Sequence, residues 1–129
     1  MDFSFRVDPA TGWGQVDIRG EVVVADMRRL MEAAWRDPAY TAVERSVWNF
    51  AEAWTAMRTG DLMQLGPWIA ANKAGRGAKI IAIVAPDDVV FGVGRMFDAL
   101  QPGMGWKIGL FRELEPARRW LEETTRDPA

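Results

Sequence analysis

The chain contains no cysteine and no histidine. Without cysteine there can be no disulfide, no thiol nucleophile and no thiolate metal ligand. Without histidine the commonest general base and the commonest metal ligand are missing. Serine occurs only at Ser4 and Ser46, and neither lies in a Gly-x-Ser-x-Gly elbow, so no hydrolase triad can be assembled. The chemistry that remains rests with Asp, Glu, Lys, Arg, Thr and the single Tyr40. The expectation is a non-catalytic protein with no catalytic residues, no cofactor and no metal. An excess of positive charge is also missing. The net charge of −2 argues against a nucleic-acid surface. No apolar run approaches the ~20 residues of a membrane span. The opening Met-Asp-Phe-Ser-Phe-Arg does not read as a secretory signal, and a cytoplasmic location is the expectation.

A chain of 129 residues, 49% apolar and 26% charged, has the size and composition of one globular domain. The expected extent is residues 1–125, with a frayed tail over 126–129. Phe3, Phe5 and Val7 alternate with polar residues, as do Val16 and Ile18 after the turn-forming Asp-Pro-Ala-Thr-Gly, which predicts an antiparallel hairpin. From Val24 the period changes to helical: Val24, Met27, Leu30, Met31, Ala34 and Trp35 share one face, until Pro38 stops the helix. Val47–Phe50 reads as a short buried strand. A second helix carries Leu62, Leu65 and Ile69 and ends near Gly75–Gly77, with a kink or restart expected at Gly66-Pro67. Ile80–Val84 is a continuous apolar run of the kind found in a sheet interior. Asp87 or Asp88 caps a third helix with Val90, Val93, Phe97 and Leu100 on its apolar face. After a turn at 101–105, Ile108–Phe111 forms the last strand, and Pro116 opens a closing helix. The order is β-β-α-β-α-β-α-β-α, an α/β fold with a mixed, mostly parallel sheet of about five strands.

Gly92 and Gly94 do not form a dinucleotide fingerprint. Phe97 occupies the third glycine position, and Asp87 and Asp88 at the turn would repel phosphate. Close helix packing explains the glycine pair better.

The segments "KIIAIVAPDDVVFGVGRMFDAL" and "WKIGLFRELEPARRWLEE", taken with the element order, resemble the stand-alone SpoIIAA-like bacterial proteins of the STAS superfamily. The resemblance runs over nearly the whole chain. It implies a mixed sheet with packed helices and a non-catalytic regulatory or protein-interaction role, with a protein partner or self-association. Family members that antagonise anti-sigma factors carry a phosphorylated serine, usually after an aspartate, at the start of the second helix. Here Met57 stands at the aspartate position and Arg58 at the serine position, so the usual phosphoserine is missing. Thr59 is the only nearby hydroxyl, and its neighbours Gly60 and Asp61 suggest a helix cap. Distant lipid-carrying relatives of the fold make a small apolar or amphipathic ligand the alternative.

Seven tryptophans and seven methionines are a heavy load for this length. Trp35, Trp48 and Trp120 fall on predicted core faces. Trp54, Met57, Met63 and Trp68 cluster around the connection after the third strand and the second helix, where each alone reads as core packing and the group as either core or an adaptable apolar surface. In open α/β sheets the functional surface lies beyond the carboxyl ends of the strands. The connections 53–59, 86–88 and 112–115 are expected there, bringing Trp54, Met57, Thr59, Asp87 and Asp88 together. Arg95 lies further along the third helix, where its side chain either reaches a helix-side groove of that surface or pairs with Asp98 or a neighbouring carboxylate.

Overall fold

A computed structural model describes residues 1–73, 77–100 and 105–124. Among these, strands β1 (Asp2–Val7), β2 (Gly14–Val22), β3 (Arg45–Thr55), β4 (Ile80–Val84) and β5 (Lys107–Phe111) form one sheet in the order 1-2-3-4-5. β1 and β2 are antiparallel, and every other neighbouring pair is parallel. The helices are α1 (Val24–Arg36), the four-residue α2 (Pro38–Thr41), α3 (Thr59–Asn72), α4 (Asp88–Leu100) and α5 (Leu114–Glu123). Parallel strands need crossovers, and α3, α4 and the α1–α2 pair supply them. As expected, Ile80–Val84 lies in the sheet interior, between β3 and β5.

Alternation along the strands decides which side chains meet which helices. One face presents Val16, Ile18, Trp48, Phe50 and Ile81 to α1, α3 and α4 and forms the larger core. The opposite face presents Val47, Ile80, Ala82 and Val84 to Ala117 and Leu121 of α5. α5 packs on β3, β4 and β5, so the outer face of β1 and β2 stays polar.

Four sequence expectations need correction. β3 is eleven residues long, not four, because Ala53 and Thr55 continue the buried alternation beyond Phe50. Of the expected kink or restart at Gly66-Pro67, the restart is absent: α3 is one continuous helix. Pro67 lies on the exposed side of the helix, where the carbonyl it cannot pair with can be hydrated. α2 was not foreseen; Asp37 caps it by accepting the Ala39 N–H at 2.9 Å. Of the two glycines in α4, only Gly94 is held by packing: a Cβ there would lie 2.7 Å from Leu110 Cδ2, whereas one on Gly92 would meet nothing within 4 Å. The expected helix end near Gly75–Gly77 and the turn at 101–105 lie partly outside the described residues, and the tail at 126–129 lies wholly outside them.

One polar network is buried in the larger core. Ser46 Oγ donates its single proton to Gly14 O at 3.2 Å, so Tyr40 Oη must be the donor in its 3.0 Å bond to Ser46 Oγ. Phe5 packs edge-on against the Tyr40 ring. Trp48 Nε1 lies beside the Tyr40 hydroxyl, yet it is buried without a hydrogen bond of acceptable geometry. Burial pushes the Tyr40 phenol above its ordinary value of 10.0; the opposing pull is smaller and comes from Ser46, whose hydroxyl can turn from Gly14 O to donate to a phenolate, and from the Trp48 N–H. The folded state therefore favours the neutral phenol. This stabilisation is complete below the unfolded pKa and is lost as pH rises through the folded one. Because Tyr40 is the only tyrosine, phenolate absorbance reports on it alone. Phenolate formation is expected to begin above pH 10.0 and to coincide with alkaline unfolding. Reversible ionisation at the ordinary value, with the fold intact, would contradict the buried network.

Candidate functional site

Between the sheet and helices α3 and α4 lies an apolar cavity of about 80 Å³, partly open to solvent. Its floor is Trp48 and Phe50 of β3, Ile81 and Ile83 of β4 and Ile108 of β5. Leu62 and Leu65 of α3 wall one side, and Val90, Val93, Gly94 and Phe97 of α4 wall the other. Met27 and Met31 of α1 line it as well, together with Val22, Met57 and Trp106. Thr55 is the one polar residue among the described residues of the lining, and its hydroxyl is turned to the backbone: it donates to Val22 O at 2.8 Å and accepts from Met57 N–H at 3.1 Å. The cavity therefore offers dispersion and desolvation but no directed polar contact.

Its outer wall is thin. Of the thirteen residues of α4, only Val90 is fully buried, although most of the helix is apolar. Val89, Met96 and Leu100 remain exposed, as does Met63 on α3. α4 is tied down mainly at its start. Asp87 Oδ2 accepts from the N–H groups of Val89 at 3.1 Å and Val90 at 3.0 Å, which caps the helix. Arg112 reaches across from the end of β5 to Asp88 at 2.6 Å and to Pro86 O at 3.0 Å, and its guanidinium lies 4.0 Å from the centre of the Phe91 ring.

The expected site residues do not form one cluster. Met57 is half-buried and lines the cavity. Trp54 lies within β3 rather than in a connection, and strand alternation sends it to the opposite face of the sheet, where it is 54% exposed. Met63 is 61% exposed at the outer surface of α3. Trp68 is taken up by packing, stacked on Trp35 at 5.8 Å with the Arg28 guanidinium 5.6 Å from its ring. Thr59 is not the helix cap. β3 extends through Thr55, which leaves Arg58 at the N-cap, where the Asp61 carboxylate accepts the Arg58 N–H at 2.8 Å. The Thr59 hydroxyl instead donates to Met96 Sδ at 3.0 Å and links α3 to α4. Asp87 and Asp88 are accounted for by the cap and the Arg112 pair. Arg95 is exposed and forms no ion pair with Asp98.

Sequence reasoning missed Met27, Met31, Trp48, Phe50 and Trp106 as cavity walls. Periodicity marks a residue as inward-facing but does not say whether its neighbours close over it. Among the described residues no group of three Asp or Glu side chains could hold a metal ion, and no helix is long and apolar enough to cross a membrane.

No family model and no curated protein sequence matches the chain. Among solved structures, it is similar to an uncharacterised protein of the DUF3478 family from Shewanella loihica PV-4 that has a SpoIIAA-like fold. The two share 14% identity; the match covers 92% of this chain and 93% of that one, with a TM-score of 0.56. At that identity the likeness is one of fold. The protein has a SpoIIAA-like α/β fold, a mixed five-stranded sheet with helices on both faces.

Proposed function

We propose that the protein is a non-catalytic binding protein whose ligand is small and apolar, or amphipathic with an apolar part. The observation that carries this reading is the cavity beneath α3 and α4, lined throughout by apolar surface. An apolar cavity of about 150 Å³ in another protein stays dry and takes up benzene or xenon. At about 80 Å³ this one holds a short alkyl segment, and a longer ligand must leave through the open side. Met63 and Met96, exposed on α3 and α4, offer adaptable apolar surface for that continuation. The regulatory, protein-binding role implied by the family resemblance draws on another part of the molecule, the exposed surface around Trp54.

The test is equilibrium titration of the purified protein with a fluorescent alkyl-chain probe. Saturable one-to-one binding is expected, with displacement by an unlabelled alkyl alcohol and with a change in tryptophan emission, because Trp48 and Trp106 line the cavity. Absence of saturable binding would overturn the reading.

A further inference from the structure

The geometry points to a docking site for an extended, basic polypeptide segment along the carboxyl half of β3, centred on Trp54. β4 stops at Val84, opposite Asn49. Beyond that point β3 runs on through Thr55 and, among the described residues, pairs only with β2, so Glu52–Thr55 has a described strand on one side alone. The register shifts where this half begins: Phe50 and Ala51 together oppose Ile18, and the displaced Ala51 N–H is taken up by Asn49 Oδ1 at 3.0 Å. A strand with one unpaired edge is a template for strand addition, in which main-chain hydrogen bonds supply affinity and alternate side chains supply specificity.

The side chains along this edge specify the partner. Glu52 and Trp54 point to the outer face, in register with Arg19 and Glu21 of β2. α5 packs elsewhere on that face, and Trp54 is 54% exposed. Neither Glu21 nor Glu52 forms an ion pair among the described residues. An exposed indole with two carboxylates beside it and one arginine across the strand attracts Lys or Arg, through the ring face and through charge. Two copies of this chain pairing antiparallel at the edge would bring their Glu52 carboxylates close together, with Glu21 one strand behind each, which disfavours self-pairing and favours a basic partner. This site is separate from the cavity, because Trp54 lies on the other face of the sheet from Met57.

The test uses fluorescence anisotropy with a labelled, alternating Lys-Val hexapeptide, a Glu-Val control, and a Lys-Val peptide N-methylated at every second residue. The unmodified basic peptide is expected to bind. Affinity should fall by at least about tenfold on Trp54→Ala, on Glu21→Lys with Glu52→Lys, and on N-methylation, which removes the edge donors. These side chains are exposed, so the variants are expected to keep the parent melting temperature. The proposal is overturned if the basic peptide does not bind, if the Glu-Val peptide binds equally well, or if Trp54→Ala or N-methylation leaves binding unchanged. It is also overturned if sedimentation shows a dimer that Trp54→Ala dissociates, since the occupant would then be a second copy.

Discussion

Leu121→Ala is expected to destabilise the protein by about 2–5 kcal/mol, the range for emptying a fully buried leucine site. Leu121 is completely buried and belongs to the smaller core, where α5 packs on Val47, Ile80, Ala82 and Val84. The fully buried neighbours, Val47, Ile80, Ala82, Val84 and Ala117, are short or branched, so the space is refilled only if a rim side chain such as Trp120 or Phe111 shifts inward. The end of α5 is also bound to the sheet: Arg45 donates to Leu121 O at 2.9 Å and to Thr124 O at 2.6 Å. Loosening the helix therefore disturbs β3 as well. For a chain of this size the melting temperature should fall by roughly 6–20 °C. Val89→Ala, at an exposed position on α4, is the control and should change stability by no more than about 0.5 kcal/mol. A small effect at Leu121, comparable with that at Val89, would mean that α5 is not seated as described.

Val93→Trp should abolish ligand binding without unfolding the protein. Val93 lines the cavity from α4 and is only partly buried, so a larger side chain can turn into the empty space with little overpacking. Filling cavities commonly raises stability by about 0.5–2 kcal/mol, so the melting temperature should hold or rise. Affinity for an alkyl-chain probe should drop by at least about tenfold, the equivalent of about 1.4 kcal/mol. Unchanged affinity in a folded Val93→Trp protein would place the binding elsewhere, on the exposed Met63 and Leu100 surface for instance.

The fold was legible wherever the hydrophobic period was strong. Ile80–Val84 is apolar at every position and lies in the sheet interior; Val24–Trp35 keeps one apolar face and is helical. β3 was legible only in part. Its second half, Ala-Glu-Ala-Trp-Thr, alternates with small side chains inward, a weak signal that reads as a connection. Because the strand continues to Thr55, Trp54 lies on a strand face and not in a loop, and the N-cap of α3 is Arg58 and not Thr59. The candidate site was less legible still. Met57 belongs to the cavity, but its partners Met27, Met31 and Trp106 come from distant segments, and the space between them depends on how α4 packs. Asp87 was readable as a cap because its chemistry is local. Arg112 was not readable as its neighbour's anchor, because the contact with Asp88 spans 24 residues.

The central claim is that the cavity between the sheet and α3–α4 holds an apolar ligand. Native mass spectrometry of the wild-type protein and of Val93→Trp, purified side by side from the same host without organic solvent, tests it most directly. The wild-type protein is expected to carry a small-molecule adduct, either co-purified or taken up from an added alkyl alcohol, and folded Val93→Trp is expected to be bare. A wild-type protein that stays bare with the alcohol in excess, or the same adduct on both proteins, would contradict the claim.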